Sequence, residues 1–331
     1  MNESWQGKAV LVTGAGGFIG SHLVEELARR GARVRCFVRY TSRFSAGYLD
    51  ELSSDVAASI EVVRGDLRDA DAVDAAVAGT DFVFHLGALI GIPYSYVHPR
   101  ETVDTNVGGT LNVATAAVRH DVCRLVHTSS SEVYGTARVV PISESHVLQG
   151  QSPYSASKIG ADKLVESFHQ SFGLPAVTVR PFNTYGPRQS ARAVIPTVLT
   201  QALVGGVVKV GNTSPRRDFT FVADTVAGLI RAAEVEPALG MVLNLGTGSE
   251  ISIGALISLV SEILGRELQV VSDEERVRPA ASEVDRLCSD NSLARSVLGW
   301  SPTVDLKTGL RQTAAWVGDH LDLFEVGKYA V

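Results

Sequence analysis

Short apolar runs separated by segments of helical period dominate the first half of the chain. Residues 8–13 form one such run, which ends in the glycine-rich stretch 14–20. A helical pattern follows and stops at Gly31, and residues 34–38 form the next apolar run. This order of strand, glycine turn, helix and strand predicts the first βαβ unit of a parallel sheet.

The same alternation continues to about residue 180. Further strands are predicted at residues 60–63, 82–86, 124–128 and 176–180. Because segments of helical period separate these runs, the predicted fold class is α/β: a Rossmann-type, doubly wound parallel sheet with helices on both faces.

Beyond Arg180 the alternation weakens, and proline and glycine become frequent. We interpret this part as a smaller α/β lobe laid over the carboxyl ends of the strands, where open α/β sheets bind ligands. The predicted dinucleotide-binding domain spans residues 1–180 with a returning segment near 218–248, and the predicted substrate-binding lobe spans residues 181–217 and 249–331.

Composition narrows the possible partners. The net charge of −6 disfavours nucleic acid and anionic membranes as partners. No apolar run approaches the ~20 residues of a membrane span, and the polar N-terminus predicts no secretory signal. Cys36, Cys123 and Cys288 are widely spaced, which predicts buried reduced thiols, no metal site and a cytoplasmic location.

The glycine-rich stretch has the spacing of a dinucleotide site. Gly14 permits a tight turn, Gly17 lets the backbone approach a pyrophosphate, and Gly20 allows close contact between helix and strand. Phe18 and Ile19 lie between the last two glycines and are predicted to contact the cofactor, since the N–H groups at a helix start attract phosphates.

Residues at the ends of later strands are expected to complete the cofactor site. Asp66 can accept a hydrogen bond from adenine, and further contacts are predicted from Leu67, Leu86 and Pro181. The second strand ends at Arg39 with no acid in reach. A basic residue at this position favours NADP, whereas an acid favours NAD.

A tyrosine and a lysine four residues apart supply candidate chemistry. Tyr154 and Lys158 stand at a predicted helix start and therefore share one face. An ammonium and an oxidised nicotinamide would lower the pKa of the phenol from its usual value of about 10. The tyrosine can then take a proton from an alcohol while hydride leaves the same carbon. The hydroxyls of residues 128–131 can orient that alcohol.

Together these motifs resemble the extended short-chain dehydrogenase/reductase family, and within it the nucleotide-sugar 4-epimerases and 4,6-dehydratases. The resemblance covers nearly the whole chain. Other matching stretches are residues 106–110, 180–183, 185–188 and 217–219. The resemblance implies that Ser130 is the catalytic hydroxyl, Tyr154 the base and Lys158 the partner that tunes its pKa.

The resemblance also implies how the substrate binds and how the chain assembles. Asn183, Arg217 and Arg278 match positions that hold the pyrophosphate of the nucleotide. The family pattern implies a homodimer in which helices near residues 103–118 and 155–172 pair as a four-helix bundle. Arg39 departs from the acidic residue of the NAD-using epimerases, which leaves the choice between NAD and NADP open.

The reaction that follows the first hydride transfer depends on an extra acid or base. An epimerase returns hydride to the other face of a 4-keto sugar, whereas a 4,6-dehydratase must also remove the C5 proton and expel the C6 hydroxyl. Glu132 lies where the dehydratases and the uronate decarboxylases carry a glutamate, so it is a candidate C5 base. Ser131 beside it replaces the aspartic acid of many dehydratases.

An excess of arginine favours a different substrate. Seven arginines are expected near the ligand: Arg188, Arg192, Arg216, Arg217, Arg276, Arg278 and Arg286. A pyrophosphate uses about two such side chains. Arg192 can instead pair with a C6 carboxylate, and a uronate has no C6 hydroxyl to eliminate. An arginine on that carboxylate also opposes loss of CO₂, because it stabilises the ground state.

The sequence therefore favours a 4-epimerase that converts UDP-glucuronate to UDP-galacturonate, with a 4,6-dehydratase or a UDP-uronate decarboxylase as alternatives. Such an epimerase must rest with an oxidised cofactor, which favours NAD over NADP despite Arg39. Two other classes fit less well: a keto-sugar reductase would consume external NADPH, and a non-catalytic NADP sensor would be expected to lack Tyr154 or Lys158.

Overall fold

Strands form at the apolar runs that the sequence predicts. The computed structural model describes residues 5–42, 44–276 and 283–326. Its strands are β1 (Ala9–Thr13), β2 (Arg33–Arg39), β3 (Ile60–Gly65), β4 (Phe82–His85), β5 (Arg124–Thr128), β6 (Ala176–Pro181), β7 (Thr184–Tyr185), β8 (Val207–Val210), β9 (Arg216–Arg217), β10 (Thr220–Phe221), β11 (Val242–Leu245), β12 (Ile251–Ser252), β13 (Gln269–Ser272) and β14 (Arg286–Leu287).

Seven of these strands form one parallel sheet in the order β11-β6-β5-β4-β1-β2-β3. Val10 of β1 pairs with Val34 of β2 on one side and with Phe82 of β4 on the other. The strand order therefore reverses beside β1, which creates the crevice in which such sheets bind ligands. The predicted fold class is confirmed, and the six predicted strands differ from the observed ones by at most two residues at either end.

Helices connect the strands and cover both faces of the sheet. They are α1 (Phe18–Arg29), α2 (Ser54–Ser59), α3 (Ala70–Val77), α4 (Ile92–Val97), α5 (Pro99–Val103), α6 (Gly109–Arg119), α7 (Pro153–Phe172), α8 (Val194–Val204), α9 (Val222–Glu234), α10 (Ile253–Leu264) and α11 (Leu306–Asp319). A π-helical turn, Asp104–Gly108, joins α5 to α6.

The start and end of α7 follow from its sequence. The Ser152 side chain accepts from the backbone N–H of Ser155, and the Ser155 side chain binds the backbone N–H of Ser152 in return. Pro153 fits the first helical position because it needs no N–H partner there. Gly173 ends the helix in the left-handed conformation at φ 68°.

Alternate residues of the strands supply two cores. Val10 and Val126 belong to the core beneath α1 and α9, and this core continues into the second half of the chain through Ile195 of α8. Leu11 and Leu125, one position along, belong to the core beneath α3, α6 and α7. This period of two buries the central strands β1, β5 and β6 on both faces, as expected for a parallel sheet.

The second half of the chain divides its residues between the sheet and smaller strand pairs. β11 pairs with β6 and completes the seven-stranded sheet, while β8 pairs with β13, β7 with β10, and β9 with β12 and β14. β11 and α9 fall within the segment 218–248 that was expected to return to the first domain. The proposed division of the chain at residue 180 stays a prediction.

Two further observations bear on the sequence analysis. Among the described helices, none combines the length and the apolar character that crossing a bilayer requires. Cys36 and Cys288 are buried, but Cys123 is exposed just before β5. The prediction of three buried thiols is therefore wrong for Cys123, because it stands in a surface turn rather than inside the strand.

Candidate active site

The turn after β1 is built so closely that side chains cannot enter it. A Cβ on Gly14 would lie 2.8 Å from the backbone nitrogen of Gly87, and one on Gly20 would lie 2.2 Å from the carbonyl oxygen of Gly14. Gly16, which the sequence analysis did not single out, is equally constrained, since its Cβ would meet the Ala46 carbonyl oxygen at 2.2 Å. Gly17 is the N-cap of α1 and provides no side-chain cap.

The first turn of α1 therefore keeps N–H groups without a side-chain partner, and Phe18 and Ile19 belong to this turn. Uncapped N–H groups at a helix start bind anions well. The glycine turn fits the pyrophosphate of a dinucleotide.

A cavity of about 140 Å³ adjoins the glycine turn at the ends of β2, β3 and β4. Its lining includes Gly14, Arg39, Asp66, Leu67 and Leu89. Its place beside the glycine turn fits the adenosine half of a dinucleotide. Leu86 follows β4 at the same edge and donates its N–H to the Thr13 carbonyl, 3.3 Å away.

The Asp66 carboxylate is less available to accept a hydrogen bond from adenine than the sequence predicts. Its carboxylate accepts two bonds from the Arg68 guanidinium, at 2.9 and 2.6 Å, and one from the Arg68 backbone N–H at 2.9 Å. The Arg68 contact also holds the pKa of Asp66 below its usual range. The expected hydrogen bond to adenine would have to share a carboxylate that Arg68 already occupies.

The candidate catalytic residues meet at the carboxyl end of β5. Tyr154 and Lys158 share one face of α7 and are buried, with 7% and 4% exposure. Lys158 Nζ donates to the Thr128 carbonyl at 2.8 Å. The Ser130 side chain hydrogen-bonds Tyr154. It also accepts from the backbone N–H of Glu132 at 3.2 Å. Three residues from two elements thus form one cluster.

The protein's own groups do not lower the pKa of Tyr154. Burial raises that pKa to about 12, and the hydrogen bond to Ser130 only partly opposes this shift. Burial also lowers the pKa of Lys158 to about 8, against the charge of Asp162. The lowered phenol pKa expected from the sequence therefore requires a positive charge beyond those of the protein.

Asp162 is the main residue of this cluster that the sequence analysis missed. It lies on α7 four residues beyond Lys158, and its side chain is 3% exposed. Its carboxylate accepts from Ser129 Oγ at 2.9 Å, from the Arg180 guanidinium at 2.9 Å, and contacts His127 Nε2 at 3.2 Å. The spacing of four from Lys158 could have indicated it.

Arg180 extends the Asp162 cluster away from the catalytic residues. Its guanidinium donates to the Tyr134 hydroxyl at 2.9 Å and lies 4.9 Å from the centre of that ring. The Tyr134 hydroxyl in turn donates to Asn244 at 2.7 Å. These buried bonds tie α7 to β6 and β11 beneath the site.

Candidate substrate contacts surround the same edge. Ser131 is buried, and Glu132 lies near enough to Tyr154 that its charge raises the pKa of the phenol. The Asn183 amide nitrogen is buried without a hydrogen-bond partner in the described part of the chain. An orphaned donor of this kind suits an anionic ligand. Pro181 ends β6 two residues before it.

Most of the predicted excess of arginine is neutralised within the chain. Each of five arginines has a carboxylate partner: Arg188 with Glu25 (2.9 Å), Arg216 and Arg286 with Glu250 (2.8 and 2.6 Å), Arg217 with Glu283 (3.4 Å), and Arg276 with Asp273 (2.8 Å). The seven arginines are therefore not a free cationic cluster. Arg278 lies outside the described residues.

Arg188, a predicted substrate contact, is held by a carboxylate of α1. Its φ is 67°, and its guanidinium reaches back to Glu25 on α1, the helix that begins at the glycine turn. The neighbouring Pro187 carbonyl lies 3.0 Å from His22 Nε2, also on α1. Arg188 therefore holds the loop after β7 against α1, and its contact with the substrate stays a prediction.

Arg192 differs from the paired arginines. It is exposed in the loop before α8 and makes no ion pair within residues 5–42, 44–276 and 283–326. A Cβ on Gly91 would lie 3.8 Å from its guanidinium nitrogen. The Glu101 hydrogen bond raises the pKa of Tyr94, and the charge of Arg192 opposes that shift. Arg192 thus lies beside the loop that follows β4.

The chain belongs to the family described as GDP-mannose 4,6 dehydratase, whose profile matches residues 11–313. It is an enzyme of the NAD-dependent nucleotide-sugar epimerase/dehydratase family, with the extended short-chain dehydrogenase/reductase fold. The family expected from the sequence is confirmed.

Similar proteins include both 4,6-dehydratases and 4-epimerases. The chain is 34% identical to a dTDP-glucose 4,6-dehydratase of Actinoplanes sp., over 93% of this chain and 97% of that protein. It is also 34% identical to a UDP-glucose 4-epimerase of Mycolicibacterium smegmatis, over 92% and 96% of the two chains. The solved structure of MoeE5 in complex with UDP-glucuronic acid and NAD is 33% identical, with a TM-score of 0.83 over 93% of this chain and 98% of that chain.

Proposed function

We propose that this enzyme is a 4-epimerase that interconverts UDP-glucuronate and UDP-galacturonate through a transient 4-keto sugar. The observation that carries the proposal is Arg192, a cation beside the loop that follows β4, with no carboxylate partner among the described side chains. A C6 carboxylate would supply that partner. MoeE5, which was solved with UDP-glucuronic acid and also with UDP-glucose, supports a UDP-sugar substrate.

The cofactor in this proposal is NAD. The turn of Gly14, Gly17 and Gly20 would hold its pyrophosphate, and the cavity lined by Arg39 and Leu67 would hold its adenosine. Bound NAD supplies a hydride acceptor and, through its nicotinamide, a positive charge that favours the Tyr154 phenolate. MoeE5 was likewise solved with NAD.

Tyr154, Ser130 and Lys158 then have separate roles at the sugar. Tyr154 takes the proton of the C4 hydroxyl as hydride leaves C4, and Ser130, which already hydrogen-bonds Tyr154, orients that hydroxyl. Lys158, anchored on the Thr128 carbonyl, keeps an ammonium on the same face of α7. When hydride returns to the other face of C4, Tyr154 gives its proton back.

We assign the diphosphate of the substrate to Asn183 and Arg217. The unpartnered amide donor of Asn183 suits a phosphate oxygen, and Arg217 brings a guanidinium that Glu283 holds at 3.4 Å. Ser131, Glu132 and Arg192 would then lie along the sugar. Arg278 remains a predicted diphosphate contact.

A 4,6-dehydratase is the second candidate, and Glu132 favours it. The charge of its carboxylate raises the pKa of Tyr154, which supports a position of Glu132 on the same side of the site as the candidate base. A UDP-uronate decarboxylase is disfavoured, because an Arg192 pair would stabilise the carboxylate that must leave.

Replacing Arg192 by Ala tests the substrate. Removing one partner of a desolvated charge pair costs about 2–5 kcal/mol, so kcat/KM for UDP-glucuronate should fall roughly 30- to 4,000-fold. Because UDP-glucose has a neutral C6 hydroxyl, kcat/KM for UDP-glucose should fall only slightly. kcat/KM is measured for each of the two substrates, and the products are resolved by NMR.

Two further variants complete this test. Arg295→Ala removes another exposed arginine of the second half, from the turn 294–298 that packs near the start of β11, and should change neither constant. Glu132→Gln should be tolerated within about tenfold by an epimerase, because no proton leaves C5. The dehydratase would be the better account if two results were found together. Glu132→Gln would be inactive, and Arg192→Ala would change kcat/KM equally for UDP-glucuronate and UDP-glucose.

We also propose that the enzyme is a homodimer. Val103 at the end of α5 and Leu111 on α6 are 43% and 42% exposed, and Phe172 at the end of α7 is 62% exposed. Pairing of these helices with a second copy as a four-helix bundle would cover apolar side chains. A cytoplasmic location belongs to the same proposal.

Light scattering at micromolar concentration should give twice the monomer mass. Leu111→Glu should shift the protein toward monomer, since it places a charge in the buried part of such an interface. Val270→Glu, on β13 and 46% exposed, is the matched control and should leave the dimer intact. A wild-type protein that scatters only as a monomer contradicts the proposal.

A further inference from the structure

Two arginines on the rim of the adenosine cavity share one carboxylate. Arg39 at the end of β2 and Arg68 after β3 both line this cavity. Glu101, on α5, lies 3.4 Å from the Arg39 guanidinium and 3.7 Å from that of Arg68. The Tyr94 hydroxyl donates to the other oxygen of Glu101 at 2.6 Å. Glu101 therefore acts on the cavity through the two arginines that line it.

The local contacts keep Glu101 charged. The hydrogen bond from Tyr94 holds the pKa of Glu101 below its usual range, and the charges of Arg39 and Arg68 act in the same direction. Arg68 has a second carboxylate partner in Asp66. For Arg39, Glu101 is the carboxylate within ion-pair distance in the described part of the chain.

This arrangement changes what Arg39 does to a dinucleotide. A free arginine at the end of the second strand favours the 2′-phosphate of NADP. Here the guanidinium is already engaged, and a phosphate approaching it would also approach an ionised carboxylate. The 2′-phosphate carries a charge near −2 and would be repelled, whereas the 2′-hydroxyl of NAD can donate a hydrogen bond to a carboxylate.

We propose that Glu101 selects NAD over NADP in this enzyme by neutralising Arg39 and Arg68. The role that a strand-end acid has in other NAD sites is thus taken by a carboxylate from α5. This inference rests on the proposed use of NAD.

Competition between the two dinucleotides tests this role without measuring activity. Purified protein is equilibrated with equal concentrations of NAD⁺ and NADP⁺, freed of unbound dinucleotide and denatured, and both released dinucleotides are quantified by chromatography. Glu101→Gln should shift the bound ratio toward NADP by about tenfold, a modest value because the charges are partly solvent-screened. Adding Arg39→Ala to Glu101→Gln should remove most of that gain.

The matched control is Glu61→Gln. It removes the same charge from β3 and breaks a 2.9 Å pair with Arg35, an arginine that does not line the cavity, whereas Arg39 and Arg68 do. It should leave the ratio unchanged. Arg39→Gln alone, which frees the Glu101 carboxylate from this partner, should move the ratio further toward NAD.

The outcomes separate the two proposals. A wild-type protein that binds NAD in preference, with Glu101→Gln no different from Glu61→Gln, overturns the role of Glu101 alone. Arg39→Gln moving the ratio toward NADP overturns it as well, and this variant decides the question even if Glu101→Gln does not fold. A wild-type protein that binds neither dinucleotide, or only NADP, overturns the proposed cofactor itself.

Discussion

Replacing Tyr154 by Phe should lower turnover by about 10²–10⁴-fold while binding of the nucleotide sugar is largely retained. The substitution keeps the ring that fills a site with 7% exposure and removes only the hydroxyl. That hydroxyl is the atom that hydrogen-bonds Ser130 and that would accept the C4 proton. Steady-state kinetics and equilibrium binding of UDP, measured on the same preparation, separate the two effects.

Tyr96→Phe is the control for this prediction. Tyr96 lies on α4 and is 37% exposed, so loss of its hydroxyl should change neither turnover nor binding. Near-normal turnover in Tyr154→Phe would exclude the phenol as the base. Equal losses of turnover and UDP binding would instead indicate that the substitution disrupts the site as a whole.

Asp162→Asn should lower the free energy of unfolding by about 3–5 kcal/mol, because it leaves Arg180 buried and unpaired. The two side chains are 3% and 4% exposed and lie 2.9 Å apart. Burial works against the charged form of Asp162, but the bond to His127 and the charge of Arg180 outweigh it, and the pKa of Asp162 is lowered. The contribution is therefore present at neutral pH and is lost as the pH falls through the lowered pKa.

Urea unfolding of both proteins at pH 7 measures this loss. Asp74→Asn is the matched control, since Asp74 forms a 2.9 Å pair with Arg119 in which the two side chains are 30% and 63% exposed. Exposed pairs contribute about 0–1 kcal/mol. Equal effects of the two substitutions would show that the Asp162 pair is not important for stability.

The first half of the fold follows from the sequence because each signal there is local. An apolar run such as that of β1 is buried at every position and lies on both cores. Short strands leave no such pattern: β9 and β14 have two residues each, and their pairing depends on a contact across about seventy positions. The pattern could therefore predict a second lobe but not its topology.

The distinction between local signals and contacts across distant positions also applies to the candidate active site. The cluster of Ser130, Tyr154 and Lys158 could be predicted, because a strand end and a spacing of four on one helix fix it. The ion-pair partner of each arginine could not be predicted, since each arginine has many candidate carboxylates in the sequence. Glu101, which lies 62 positions from Arg39 and pairs with it, is a partner that no local pattern around Arg39 indicates.

The attachment of Arg188 and Pro187 to α1 has a thermodynamic consequence. The loop after β7 is held against α1, and α1 begins at the glycine turn, so ordering of one constrains the other. Where such a link couples the binding of two ligands, the coupling free energy acts equally in both directions. If bound dinucleotide tightens the nucleotide sugar by a given factor, the sugar tightens the dinucleotide by that same factor. An enzyme that regenerates its oxidant in every cycle would thereby hold its cofactor most firmly while substrate is present.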